Sequence, residues 1–128
     1  MAFMNTSEAN EALRVLSGKR VEQLRFDYAV TLVFDDNADI RISAPFTAIS
    51  PAPVAVDPEA LTAEALALAM SALHKTVVSA SIIKRSVLRL ELDGDLVLHA
   101  EPSERYEAWS LNLPEGTQLM SFPGGEIA

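Results

Sequence analysis

The 128-residue chain contains no cysteine. That excludes a disulfide-stapled scaffold, a thiolate nucleophile and every cysteine-based zinc site. It is also poor in cations, with 10 Lys and Arg against 18 Asp and Glu and a net charge of −8. Nucleic-acid binding draws its affinity from cations that displace counterions, so no nucleic-acid partner is expected. No long apolar run exists. The longest stretch, Ala60 to Leu73, is broken by Thr62, Glu64 and Ser71, too short to span a bilayer. No basic and apolar leader precedes the domain, so the expected location is the cytoplasm, away from membranes. What is present is 49 % apolar residues with 22 % charged ones, the balance of one folded domain over residues 1–128.

The pattern predicts a loose N-terminus over residues 1–5 and a short helix over 6–17. Thr6 or Ser7 is placed to cap that helix, Glu11 and Arg14 to support it, Leu13 and Leu16 to face inward and Gly18 to end it. Period 2 follows: Leu24, Phe26, Tyr28, Val30, Leu32 and Phe34, then Ile40, Ile42, Ala44 and Phe46. Pairing Phe34 with Ile40, Leu32 with Ile42 and Val30 with Ala44 keeps apolar residues on one face and leaves Asp35 to Asp39 as the loop.

Pro45, Pro51, Pro53 and Pro58 mark an extended, irregular stretch. Asp57-Pro58-Glu59 then opens a main helix over 57–75. Its five large apolar residues, Leu61, Leu66, Leu68, Met70 and Leu73, spread so widely that the helix is expected to be covered on more than one side. Burying them would contribute about 1.5–3 kcal/mol each before entropy. Period 2 then resumes from Val78 to Ala100. Leu92 with Leu96, Leu90 with Leu98 and Leu88 with Ala100 leave Asp93-Gly94-Asp95 as a three-residue loop. A last hairpin, Tyr106 to Leu113 and Thr117 to Phe122, turns at Pro114-Glu115-Gly116.

The two halves echo each other. Lys19-Arg20-Val21 answers Lys75-Thr76-Val77, and Leu32-Val33-Phe34-Asp35 answers Leu90-Glu91-Leu92-Asp93. Asp39-Ile40-Arg41-Ile42 answers Asp95-Leu96-Val97-Leu98, which calls for a two-residue insertion before the second hairpin and a two-residue deletion in its loop. The fold class this predicts is α+β: a curved antiparallel sheet of two related three-stranded meanders plus a C-terminal hairpin, packed on one main helix.

Motifs for chemistry are weak. Asp35-Asp36-Asn37-Ala38-Asp39 begins like a calcium loop, but Ile40 stands where glycine is required and Phe46 where the bidentate glutamate belongs. His74 and His99 form no two-histidine motif; His74 reads as a dipole partner at a helix end and His99 as a sheet-face residue. No nucleophile elbow, phosphate loop or dinucleotide fingerprint occurs. No catalytic residue, metal ligand or cofactor is assigned.

Tyr106-Glu107-Ala108-Trp109 and the tail Pro123-Gly124-Gly125-Glu126-Ile127-Ala128 resemble a family of small uncharacterised bacterial proteins, mostly of high-GC Gram-positive species. Gly18-Lys19 with Val21, then Asp27-Tyr28 and Leu32, is similar to that family's opening strands, and Ala44-Pro45-Phe46 to its next segment. The resemblance spans about Gly18 to Ala128 and implies a domain of unknown function, with no mechanism attached. The tail has two readings: a final hairpin folding back against Trp109, or a ligand-binding corner made by Tyr106, Glu107, Trp109 and Glu126.

The leading functional expectation is a non-catalytic protein-interaction module that self-associates as a homodimer. One alternative is an acidic immunity-type inhibitor of a toxin, whose opposite charge would steer the encounter. The other is a small-molecule-binding protein or enzyme using the concave sheet face.

Overall fold

The computed structural model describes residues 3–84 and 86–128. Helix α1 (Thr6–Leu13) is capped one residue earlier than expected. The Asn5 side chain accepts from the Glu8 amide at 2.8 Å, and the Glu8 carboxylate accepts from the Asn5 amide at 3.1 Å, satisfying two orphan donors reciprocally. A 3-10 turn (Arg14–Leu16) continues it, and Gly18 ends it with φ +87°. Residues 3–5 are not loose: the Met4 amide donates to the Ile127 carbonyl at 2.6 Å, and Phe3 meets Phe122 edge to face.

The strands are β1 (Val21–Phe26), β2 (Val30–Phe34), β3 (Asp39–Ile42), β4 (Phe46–Ile49) and β5 (Pro53–Val56). Helix α2 (Ala63–Met70) follows. Then come β6 (Val77–Ile83), β7 (Val87–Leu92), β8 (Leu96–Ala100), β9 (Trp109–Asn112) and β10 (Gln118–Met120). The α+β class stands, with two antiparallel sheets of five strands where one curved sheet was expected. Their orders are β1-β2-β3-β9-β10 and β5-β4-β8-β7-β6. Both meanders are present, but the hairpin that follows each one crosses to the other's sheet. Hairpin β4-β5 adds to β8, and hairpin β9-β10 adds to β3. One core lies between the sheets, from Val30, Leu32, Phe34, Ile40 and Ile42 on one side to Leu88, Leu90, Leu92, Leu96 and Leu98 on the other.

The halves are related about a pseudo-twofold axis at the bridge between Arg20 and Thr76, 56 residues apart. Val77 N–H donates to Lys19 O, and its counterpart Val21 N–H donates to Lys75 O. Gly18 N–H donates to Val77 O, and His74 N–H to Val21 O. Gly18 and His74 both take positive φ, and β1 and β6 share a bulge, at Val21/Gln23 and Val77/Ser79. His74 therefore turns the chain into β6.

The first hairpin differs from expectation by one pair. Leu32 faces Ile40 and Val30 faces Ile42, so apolar residues keep the core face while the loop tightens to Asp35-Asp36-Asn37. The cause is Asn37, which adopts φ +68°, and Asp36, whose side chain accepts from the Ala38 amide at 3.1 Å. The loop then matches Asp93-Gly94-Asp95 at a constant offset of 58, where Asp95 also has positive φ. The deletion expected there is not needed.

The main helix is shorter than 57–75. Asp57 caps only a turn, accepting from the Glu59 amide at 3.0 Å, while Thr62 caps α2 through the Ala65 amide at 3.1 Å. The expected burial is reversed. Ala65, Ala69 and Ala72 face the core; Leu61, Leu66 and Leu68 are half-buried, and Met70 and Leu73 are exposed.

Candidate functional site

The site arises where the two halves cease to match. At an offset of 56, Ala9, Leu13 and Leu16 of the first helical segment correspond to Ala65, Ala69 and Ala72 of the second, and all six are buried. The flanking positions diverge. Asn10, Arg14 and Ser17 correspond to Leu66, Met70 and Leu73. Asn10 closes the edge of β6, accepting from the Ile82 amide at 2.6 Å and donating to the Ile82 carbonyl at 3.5 Å. Ser17 donates to the Val78 carbonyl at 3.1 Å. The leucines in their places on α2 have no such groups to offer β1.

The helices also pack differently. Helix α1 lies against β6, whereas α2 lies against β5 and β4. Between α2 and β1 this leaves a groove of about 310 Å³ lined by Glu22, Gln23, Leu24, Phe26, Met70 and Leu73. Met70, Leu73 and Phe26 are 53, 40 and 38 % exposed, and Tyr28, at the hairpin tip beyond Phe26, is 81 % exposed. Contiguous apolar exposure of this kind marks contact surfaces. Although the chain is strongly acidic, the groove has a single carboxylate, Glu22, whose Oε1 lies 3.7 Å from Nε of Arg20. The groove is therefore close to electrically neutral.

The halves differ in electrostatics elsewhere too. Lys19 donates to the Asp36 carboxylate, and this hydrogen bond, with help from the Ala38 amide and the lysine charge, holds the Asp36 carboxyl below its ordinary range. In the second half Lys75 lies over Gly94, which has no side chain to pair with it.

Of the four residues read from the sequence as a possible corner, one is buried and three are exposed. Tyr106 and Glu107 lie in an exposed bend before β9, because Ser43 and Ala44 both donate to the Ala108 carbonyl and the strand begins at Trp109. Trp109 is buried in the core, and Glu126 is exposed next to the tail residue Ile127. Among the described residues, no hydrogen bond or ion pair joins these four side chains. Trp109 Nε1 is buried without a partner, as is Ser121 Oγ on the neighbouring chain segment. His99 sits half-buried on the outer face of its sheet, opposite Thr47 and Arg89. Among the described residues no three His, Cys, Asp or Glu side chains are grouped to hold a metal ion, and no helix is long and apolar enough to cross a membrane. The groove residues Phe26, Met70 and Leu73 were not assigned from the sequence. The available signal was the alanine spacing 65, 69, 72, which repeats 9, 13, 16 and assigns the inward face to alanine.

The architecture defines an acidic α+β domain of two exchanged meander-and-hairpin halves. The chain belongs to a family of unknown function, DUF6188, whose model matches residues 12–128. No curated protein and no solved structure matches it.

Proposed function

We propose that this protein is a non-catalytic, cytoplasmic interaction module that self-associates through the groove between β1 and α2. The observation that supports this most strongly is the exposed apolar lining of that groove, Phe26, Met70 and Leu73. Taking roughly 200 Å² for a fully exposed side chain of this size, their exposure amounts to about 260 Å² per copy. A standard interface buries about 800 Å² per partner, a little over half of it apolar, so these three side chains supply more than half of the apolar area such an interface needs. Charge favours the same occupant. A second copy carries net charge −8, and only a face free of uncompensated carboxylates suits it. An acidic inhibitor of a basic partner would instead put carboxylates in its contact face, and this one has only Glu22.

Sedimentation equilibrium at micromolar concentration tests the reading. The wild type is expected to be dimeric, and Met70→Glu, which places a charge on an exposed helix position, to be folded and monomeric, with a Tm that no longer depends on concentration. A monomeric wild type at high micromolar concentration would end the proposal.

A further inference from the structure

Resting on that reading, we infer that the two copies join by strand addition: β1 of one copy pairs antiparallel with β1 of the other, with Leu24 facing Leu24 across the twofold axis.

The inference comes from accounting for every sheet edge. Exposed edges present unpaired amides and carbonyls, and folded chains cover them. At the edge of β10, the Met120 amide donates to the Ala128 carbonyl at 2.7 Å and the Ala128 amide returns a bond at 3.1 Å. The β5 edge strand is four residues long, opens with Pro53 and packs on α2. Along the β6 edge, Asn10 bonds both the amide and the carbonyl of Ile82, and Ser17 bonds the Val78 carbonyl. On β1, Val21 is tied to Lys75 and His74, but beyond it no hydrogen bond reaches the outward backbone groups of Leu24 and Phe26 among the described residues.

The backbone direction follows from alternation. Asp27 N–H donates to Ala29 O, and Arg25 faces Thr31, so Arg25 and Gln23 spend their backbone groups on β2 while Leu24 and Phe26 point theirs outward. The pseudo-twofold agrees, since Phe26 corresponds to Ile82, the residue whose outward amide and carbonyl Asn10 bonds.

Of the registers centred on Gln23, Leu24 and Arg25, one suits a second copy at this edge. A twofold axis perpendicular to the sheet keeps each side chain on its own face only if it passes through a residue position. Centred on Arg25, it would oppose that guanidinium with its own copy. Centred on Gln23, it would bring Phe26 to Arg20, whose edge is already taken by Thr76. Centred on Leu24, it sets Gln23 opposite Arg25 on the polar face, an amide acceptor against a guanidinium donor. On the other face it gathers Leu24, Phe26, Met70 and Leu73 of both copies, with Glu22 of each copy opposite Phe26 of the other. Self-pairing of this kind is isologous and closes at two.

The absence of native cysteine makes the test direct. Leu24→Cys is expected to give a covalent dimer under mild oxidation, because opposed hydrogen-bonded residues have Cα atoms about 5.5 Å apart, within disulfide range. Val78→Cys, at the corresponding stretch of the covered β6 edge, is expected to give none. Leu24→Pro removes an outward amide and part of a half-buried side chain, and is expected to weaken dimerisation by about tenfold or more while the monomer, followed by its far-UV spectrum, stays folded. A wild type that is dimeric by sedimentation, yet does not cross-link through Leu24→Cys and dimerises normally as Leu24→Pro, overturns strand addition and leaves the interaction reading standing. A wild type that sediments as a monomer overturns both.

Discussion

The edge of β6 and the edge of β1 occupy equivalent places in the two halves, and their different fates follow from a few side chains. Both are outer strands, both carry a bulge two residues into the strand, and both are flanked by a helix whose inward residues match at an offset of 56. Beside β6 the helix brings Asn10, whose amide supplies one donor and one acceptor, the complement of a peptide group. In the second half the same position holds Leu66, which supplies neither. A carboxamide satisfies an edge within the chain, whereas an aliphatic side chain leaves the edge unsatisfied and adds apolar surface next to it. That combination is what a strand-adding partner uses: backbone bonds for affinity and side-chain pockets for specificity.

The comparison requires first that the frame common to both halves be equally indispensable. Ala48 pairs with Leu98, and Leu111 with Ile40. Ile40 and Leu98 are themselves equivalent, so Phe46 and Trp109 occupy matching core positions, both buried. Phe46→Ala and Trp109→Ala are each expected to cost about 3–5 kcal/mol, read from urea unfolding at constant slope. Against a total stability of about 5–15 kcal/mol this is severe. A loss under about 1 kcal/mol at either position would show that the halves do not share one core.

Much of this frame was legible because it is local. The second hairpin followed from Leu88 to Ala100, where Gly94 sets the loop and so selects one among the apolar pairings. The first hairpin was misread by one pair because apolar matching alone cannot tell Phe34 opposite Ile40 from Leu32 opposite Ile40; both keep the core face. What separates them is Asn37 in a left-handed conformation, which the asparagine permits and does not announce. The exchange of hairpins was not legible at all. It rests on pairings such as Ile40 with Leu111, far apart in the chain and free of any local sequence mark. The groove was hidden for a different reason. Hydrophobicity assigned the leucines of α2 to the interior, yet close helix-to-sheet approach was given to Ala65, Ala69 and Ala72, and the larger residues were displaced outward.

The edge comparison itself is sharpened by a smaller effect. Asn10→Ala leaves the Ile82 amide and carbonyl unpaired in a part-buried place and is expected to cost about 1–2 kcal/mol. Leu66→Ala, at the equivalent position, removes half-buried apolar surface and is expected to cost less than about 1 kcal/mol in the monomer. Urea midpoints measured on the monomeric Met70→Glu background separate the two. Equal losses would mean that α2 already closes the β1 edge, and the asymmetry would be gone.

The smallest effect is electrostatic. Lys19 and Asp36 join the start of β1 to the turn between β2 and β3, while the equivalent Lys75 faces Gly94. Because the Asp36 carboxyl is held below its ordinary value of 3.8, the pair stabilises the fold fully above that value. Its contribution disappears as pH falls through the lower folded-state pKa. The Asp36 side chain is 37 % exposed, so solvent screening limits the contribution to under about 1 kcal/mol. Asp36→Asn isolates it, since the asparagine oxygen still accepts from the Ala38 amide and the turn is retained. Wild type and variant should therefore differ slightly at neutral pH and converge as pH falls below 3.8 and through the lower folded-state pKa of Asp36. Lys75→Met should give a difference from wild type that does not change over that range. If Lys75→Met showed the same acid-dependent convergence, its ammonium would have a carboxylate partner after all, and the two turns would be electrostatically alike.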